Sequence, residues 1–124
     1  MKVILPVAGI GSRLRPQTLF LPKALLPVGG SNILGHIIDN LVGLEISEII
    51  LVTGYKGEMI EEYMARRKVE RSALYDIPVR FVQQNKPRGL GEAIHLCTPF
   101  LNDEPTLIIL GDTLFKAKLA QITK

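Results

Sequence analysis

Four cations and no carboxylate occupy the first thirty residues: Lys2, Arg13, Arg15 and Lys23. The rest of the chain carries 11 basic and 12 acidic residues, so the whole formal charge of +3 arises in this opening segment. The same stretch holds Gly9, Gly11, Gly29 and Gly30 together with Pro16, Pro22 and Pro27. A small cationic patch on a glycine- and proline-rich loop suits a compact polyanion; it is too small and too poor in aromatic residues for nucleic acid. Gly9-Ile10-Gly11-Ser12-Arg13 follows an apolar run, which invites comparison with the dinucleotide fingerprint G-x-G-x-x-G. That comparison fails. Leu14 stands where the third glycine belongs, Pro16 blocks an immediate long helix, and no acidic residue follows about 20 positions on to hold a ribose. The Walker pattern is absent too.

Placing these residues requires a scaffold, and the hydrophobic pattern supplies one. Val3 to Ala8 reads as a strand buried on both faces. Gly9 to Gly30 reads as a long loop, and its leucines together with Phe20 argue that it is ordered and folded over something. Ser31 or Asn32 caps a helix whose apolar positions are Ile33, Leu34, Ile37, Ile38, Leu41 and Val42, with Gly43 as its stop. Glu48 to Thr53 is a second strand. Glu58 to Lys68 is a second helix, with Met59, Ile60, Tyr63 and Met64 on one face and Arg66, Arg67 and Lys68 read as a solvated end. Pro78 to Gln83 is a third strand, Asn85 to Arg88 a turn-rich link, Leu90 to Phe100 a third helix and Thr106 to Leu110 a fourth strand.

Strands alternating with helices predict an α/β fold: a three-layer α/β/α, Rossmann-like domain with a mostly parallel sheet and right-handed crossovers. In such sheets ligands sit beyond the carboxyl ends of the strands. Gly9–Arg13, Gly54-Tyr55-Lys56, Gln84–Gly89 and Asp112 all follow predicted strands and are expected to converge on one edge.

Three motifs in order carry a resemblance. Ala8-Gly9-x-Gly11-Ser12-Arg13-Leu14-x-Pro16-x-Thr18, followed by Pro22-Lys23-x-Leu25-Leu26-Pro27-Val28, is similar to the signature of the sugar-1-phosphate nucleotidyltransferases, also called nucleotide-sugar pyrophosphorylases. Gln84-x-x-Pro87-x-Gly89-Leu90-Gly91-x-Ala93 resembles that family's base-reading loop, and Leu110-Gly111-Asp112 its metal-binding strand end. The resemblance implies transfer of a nucleoside monophosphate from a nucleoside triphosphate (dTTP, UTP or GTP) to a sugar-1-phosphate, releasing pyrophosphate. Such an in-line displacement needs alignment and charge neutralisation rather than a protein nucleophile.

By this resemblance, Ala8, Gly9, Gly11 and Ser12 belong to the nucleotide site, the glycines letting backbone N–H groups approach the phosphates. Arg13 holds the leaving pyrophosphate and Lys23 neutralises charge at the reacting centre. Gln84 and Gly89, with Pro87 between them, read the nucleobase edge, while Asp112 holds Mg²⁺. Ser12 stands where the family often has Thr and keeps the hydroxyl. Without the resemblance, Gln84 reads as an exposed loop residue.

Members of the family are considerably longer, so residues 1–124 are expected to be a truncated member, the nucleotide-binding part of the domain without its sugar-binding half. The alternative is a non-catalytic nucleotide-binding module, regulatory or vestigial. Cys97 alone gives no disulfide framework and, with His36 and His95, no zinc set; it is expected to be a buried inert thiol. No signal peptide and no apolar run of the ~20 residues that span a membrane occurs, so a cytoplasmic protein with no membrane partner is expected, as is a homo-oligomer.

Overall fold

Two strands made almost wholly of aliphatic residues form the centre of the protein, and everything else is arranged to cover them. A computed structural model describes residues 1–7, 22–41, 43–54, 56–70, 77–85 and 89–110. The strands are β1 (Lys2–Pro6), β2 (Pro27–Val28), β3 (Ser31–Asn32), β4 (Glu48–Thr53), β5 (Val79–Gln83) and β6 (Thr106–Ile108). The helices are α1 (Ile33–Leu41), α2 (Gly57–Glu70) and α3 (Leu90–Cys97). The main sheet runs β5-β4-β1-β6, every pair parallel, with Ile4 aligned to Ile50 on one side and Ile108 on the other.

Side-chain alternation divides the core into two layers. Val3, Leu5, Ile49 and Leu51 face one way and bury against α1 and α2 through Leu34, Ile37, Ile38, Ile60 and Met64. Ile4, Ile50 and Val52 face the other way and pack under Ala93 and Cys97 of α3. Each fully buried Leu or Ile contributes about 2 kcal/mol by leaving water, so the central pair of strands dominates the favourable side of folding. Helices on both faces of a parallel sheet give the expected three-layer α/β/α architecture.

Local chemistry explains the element boundaries. Asn32 Oδ1 accepts the Gly35 N–H at 2.7 Å and so caps α1. Past the helix, Gly43 adopts φ of 96°. Within the stretch expected to be one long loop, residues 22–30 contain more structure than proline content suggested. Lys23–Leu25 is a 3₁₀ turn, and β2 pairs with β3 in an antiparallel hairpin across Gly29 and Gly30, both at positive φ. The fourth strand is shorter than expected, although the Ile109 N–H still donates to Ile4 O at 3.1 Å.

Two charged residues depart from their sequence reading. Arg67, read as part of a solvated helix end, is only 6% exposed; it donates to Tyr63 Oη at 2.7 Å and pairs with Asp39 of α1. Its neighbours Arg66 and Lys68 are exposed as expected. Lys2, counted in the cationic opening segment, is also buried. Its ammonium lies 2.9 Å from Glu48 and 3.7 Å from Glu104, at the amino-terminal edge of the sheet. Both cations are spent inside the fold and contribute nothing to an anion site at the opposite edge.

Candidate functional site

The parallel sheet fixes one edge where strand ends gather. Beyond the strands the ladder continues with Val7 N–H donating to Val52 O at 2.9 Å and Gln84 N–H to Thr53 O at 2.7 Å. Val7, Gly54, Gln84 and Ile109 therefore follow their strands onto the same carboxyl-terminal edge, so the expected convergence holds for Gly54 and Gln84, while Gly9–Arg13 and Asp112 lie outside the described residues. The order β5-β4-β1-β6 reverses direction between β1 and β6, and α3 crosses on the face opposite α1 and α2. Such a reversal splays the connecting segments apart and opens a crevice for a ligand.

Over β4 and β5 the same edge has a different character. A cleft of about 220 Å³ is lined there by Thr53, Gly54, Gly57, Glu58, Glu61, Phe81 and Gln83. Its two carboxylates, Glu58 and Glu61, oppose a polyanion. Gly57 brings α2 close to the end of β4: a Cβ at that position would lie 3.0 Å from Thr53 Cβ.

Three sequence-derived site residues fall within the described structure. Lys23 opens the 3₁₀ turn whose Ala24 and Leu25 are buried in the α1 layer of the core, which anchors the backbone of an otherwise partly exposed side chain. Among the described residues no carboxylate pairs with Lys23. Gln84 and Gly89 are brought into contact: Gln84 Nε2 lies 3.4 Å from Gly89 O. The resemblance had paired these two residues, whereas the residue-level reading of Gln84 as exposed is wrong, since it is 6% exposed. Burial comes from its place directly after β5, where the Thr53 carbonyl fixes its backbone and α3 begins alongside. Ala8, Gly9, Gly11, Ser12, Arg13, Pro87 and Asp112 lie outside the described residues.

One contributor escaped the sequence reading. Glu92 Oε1, in the first turn of α3, stands 3.5 Å from Gln84 Nε2. An acidic residue in a first helical turn is ordinarily explained by the helix dipole, and nothing in the linear pattern ties it to an amide eight positions earlier. Gly89 itself starts α3 at φ 90°, ψ 179°, a conformation that side-chain-bearing residues avoid, and its carbonyl also accepts the Ala93 N–H at 3.3 Å.

Other candidates have their expected places. Cys97 is fully buried, its Sγ 3.3 Å from Ala93 O, and burial pushes the thiol up to about 11. His95 is exposed on α3, and His36 lies beside the Gly29 turn. Among the described residues no group of three or more His, Cys, Asp or Glu side chains is arranged to hold a metal, and no helix is long and apolar enough to cross a membrane.

Comparison with known proteins agrees with this geometry. Residues 2–124 match the family model described as nucleotidyl transferase. A UTP–glucose-1-phosphate uridylyltransferase of Bacillus subtilis is 30% identical over 133 residues, which is 94% of this chain and 46% of that protein. A crystal structure of UDP-glucose pyrophosphorylase complexed with UDP-glucose superposes with a TM-score of 0.76 at 25% identity, covering 90% of this chain and 45% of that one. The UDP-glucose pyrophosphorylase from Acinetobacter baumannii gives a TM-score of 0.75 at 26% identity, with 90% and 45% coverage. The chain spans about half the length of the curated relatives it matches. Motif order, parallel topology and a match over nearly every residue agree: the chain belongs to the nucleotidyl transferase family.

Proposed function

We propose that this protein provides the nucleoside-triphosphate-binding half of a sugar-1-phosphate nucleotidyltransferase, which joins a nucleoside monophosphate from UTP, dTTP or GTP to a sugar-1-phosphate. In this reaction an oxygen of the sugar phosphate attacks the α-phosphorus, the bond to the β-phosphate breaks in line, and pyrophosphate leaves with the electron pair. The residues of this chain bind and orient. The Gly9–Ser12 backbone, with Ala8, cradles the phosphates, Arg13 grips the departing pyrophosphate, and Lys23 offsets charge at the reacting centre. Gln84 and Gly89, flanking Pro87, hold the base. Asp112 would hold Mg²⁺, a hard cation that commonly takes one or two carboxylates together with substrate phosphates and waters, and whose charge would offset that of the triphosphate. A single carboxylate suits that habit. A cytosolic location and a homo-oligomeric assembly belong to the same proposal.

The observation that carries this reading is the contact of Gln84 with Gly89 at the carboxyl edge of a sheet ordered β5-β4-β1-β6. That pair was named by the base-reading motif, and it meets where a Rossmann-like sheet puts its ligand. UTP is the first nucleotide to try, since it appears in the name of the Bacillus relative. Calorimetric titration is expected to rank UTP above UDP, UMP and uridine in the presence of Mg²⁺; uridine binding as tightly as UTP contradicts the phosphate cradle. A second reading is a nucleotide-binding module without turnover of its own. UTP binding without pyrophosphate release on addition of glucose-1-phosphate selects it.

A further inference from the structure

We propose that Glu92 is a positioning residue that fixes the Gln84 amide with its oxygen toward the ligand, so that the site selects nucleobases bearing a ring N–H. The inference rests on the nucleotide-binding reading above and adds to it a positioning residue, Glu92. Two acceptors, Gly89 O and Glu92 Oε1, lie 3.4 and 3.5 Å from the same end of the Gln84 side chain. Only the NH₂ end of an amide can face two acceptors; turned over, its carbonyl oxygen would meet a carbonyl and a carboxylate. The orientation therefore follows from chemistry rather than from the placement of one atom.

The consequence is selective. Both amide protons are directed to the protein, and among the described residues nothing donates to Oε1, which leaves an acceptor as the free function of a side chain otherwise 6% exposed. A free acceptor pairs with the N3–H of uracil or thymine and the N1–H of guanine, and it opposes the bare N3 of cytosine and N1 of adenine. Gly89 O alone would leave this preference weak, because that carbonyl also receives the Ala93 N–H. The side-chain oxygen of Glu92 supplies the second acceptor that resists rotation of the amide.

The test compares UTP with CTP, which differ only at the base edge, by calorimetric titration of the protein and its variants in Mg²⁺ buffer. The protein is expected to bind UTP on the order of tenfold or more tightly than CTP. Glu92→Ala should reduce that ratio to within about threefold, mainly by losing UTP affinity. Glu92→Gln should restore it, since the new side-chain oxygen can accept the same N–H. If the Ala variant is unfolded, Glu92→Lys carries the test, because a donor beside Nε2 should abolish the preference altogether. A full UTP-to-CTP ratio in Glu92→Ala or Glu92→Lys overturns the role of Glu92, as does equal loss in the Ala and Gln variants. Failure of the unaltered protein to bind UTP overturns the nucleotide site itself, a distinguishable result.

Discussion

Replacing Gly35 by Ala should destabilise the protein, against the sign that helix propensity alone assigns. Gly35 lies in the first turn of α1, where an alanine methyl would gain about 1 kcal/mol of helical propensity. The structure leaves no room for it. A Cβ there would collide with Ser31 Oγ, and would stand 2.7 Å from Tyr63 Oη and 2.9 Å from Arg67 Nη1. Arg67 and Tyr63 are themselves hydrogen-bonded, and Arg67 pairs with Asp39, so withdrawal of these tips disrupts the clamp between α1 and α2. Loss of the Arg67–Tyr63 bond costs about 1 kcal/mol. Weakening the Asp39 pair costs about 1 kcal/mol more, a figure kept low because Asp39 is 41% exposed and water screens it. Overpacking of a tight contact adds about 1 kcal/mol. The balance is a net loss of about 2 kcal/mol, read as a lower urea midpoint at unchanged m. Gly91→Ala in α3 is the control. Nothing lies within 4 Å of its Cβ position, so the same substitution should stabilise by about 0.5–1 kcal/mol. A Gly35→Ala protein as stable as the parent would refute the close-packed clamp.

Other outcomes follow from the same geometry. Cys97, buried and pushed up to about 11, should resist a thiol reagent at pH 8 and react fully in denaturant; rapid labelling of the folded protein contradicts its place under α3. The hydrogen bond from Ser47 Oγ, the amino terminus and Lys2 hold the Glu104 carboxyl below the ordinary glutamate range. The stability this contributes is present above the unfolded-state pKa and is lost as pH falls through the depressed folded value, so Ser47→Ala should narrow the stability difference between neutral and acid pH. Identical acid profiles for the two proteins would remove the Ser47 contribution. Lys23→Ala should weaken UTP binding on the order of tenfold while leaving the melting temperature nearly unchanged, the signature of a cation that serves a ligand rather than the fold. Asp112→Asn should shift the Mg²⁺ dependence of UTP binding to higher concentration; an unchanged Mg²⁺ titration removes Asp112 from the metal site.

What the sequence disclosed divides along physical lines. Features set by neighbours in the chain were legible: a cap at Ser31 or Asn32, which the structure assigns to Asn32, the Gly43 stop, the aliphatic run of β4 and the helical spacing of Ile33 to Leu41. The parallel sheet with helices on both faces followed from alternation of elements. Features set by distant partners were not. Arg67 looks like any basic residue at a helix end until Asp39, on another helix, is seen beside it. Lys2 belongs to a charged opening segment on paper, yet Glu48 and Glu104 claim it at the far edge of the sheet. Gln84 has loop surroundings in sequence but is buried because α3 starts against it. The Gly29-Gly30 hairpin was hidden by prolines, one of which, Pro27, begins the two-residue strand β2. Motif resemblance singled out Gln84 and Gly89, which periodicity alone missed, and the structure brings the two into contact.

A nucleotide held at the carboxyl edge of this sheet should perturb that edge and not the opposite one, which titration of the ¹⁵N-labelled protein with UTP and Mg²⁺ reads through its amide resonances. Shifts are expected at the Gln84 side-chain NH₂ and the Gly89 N–H, with residues at the amino-terminal edge such as Ser47 and Glu104 unmoved. Resonances of Gln84 and Gly89 that stay fixed while UTP binds elsewhere would contradict it.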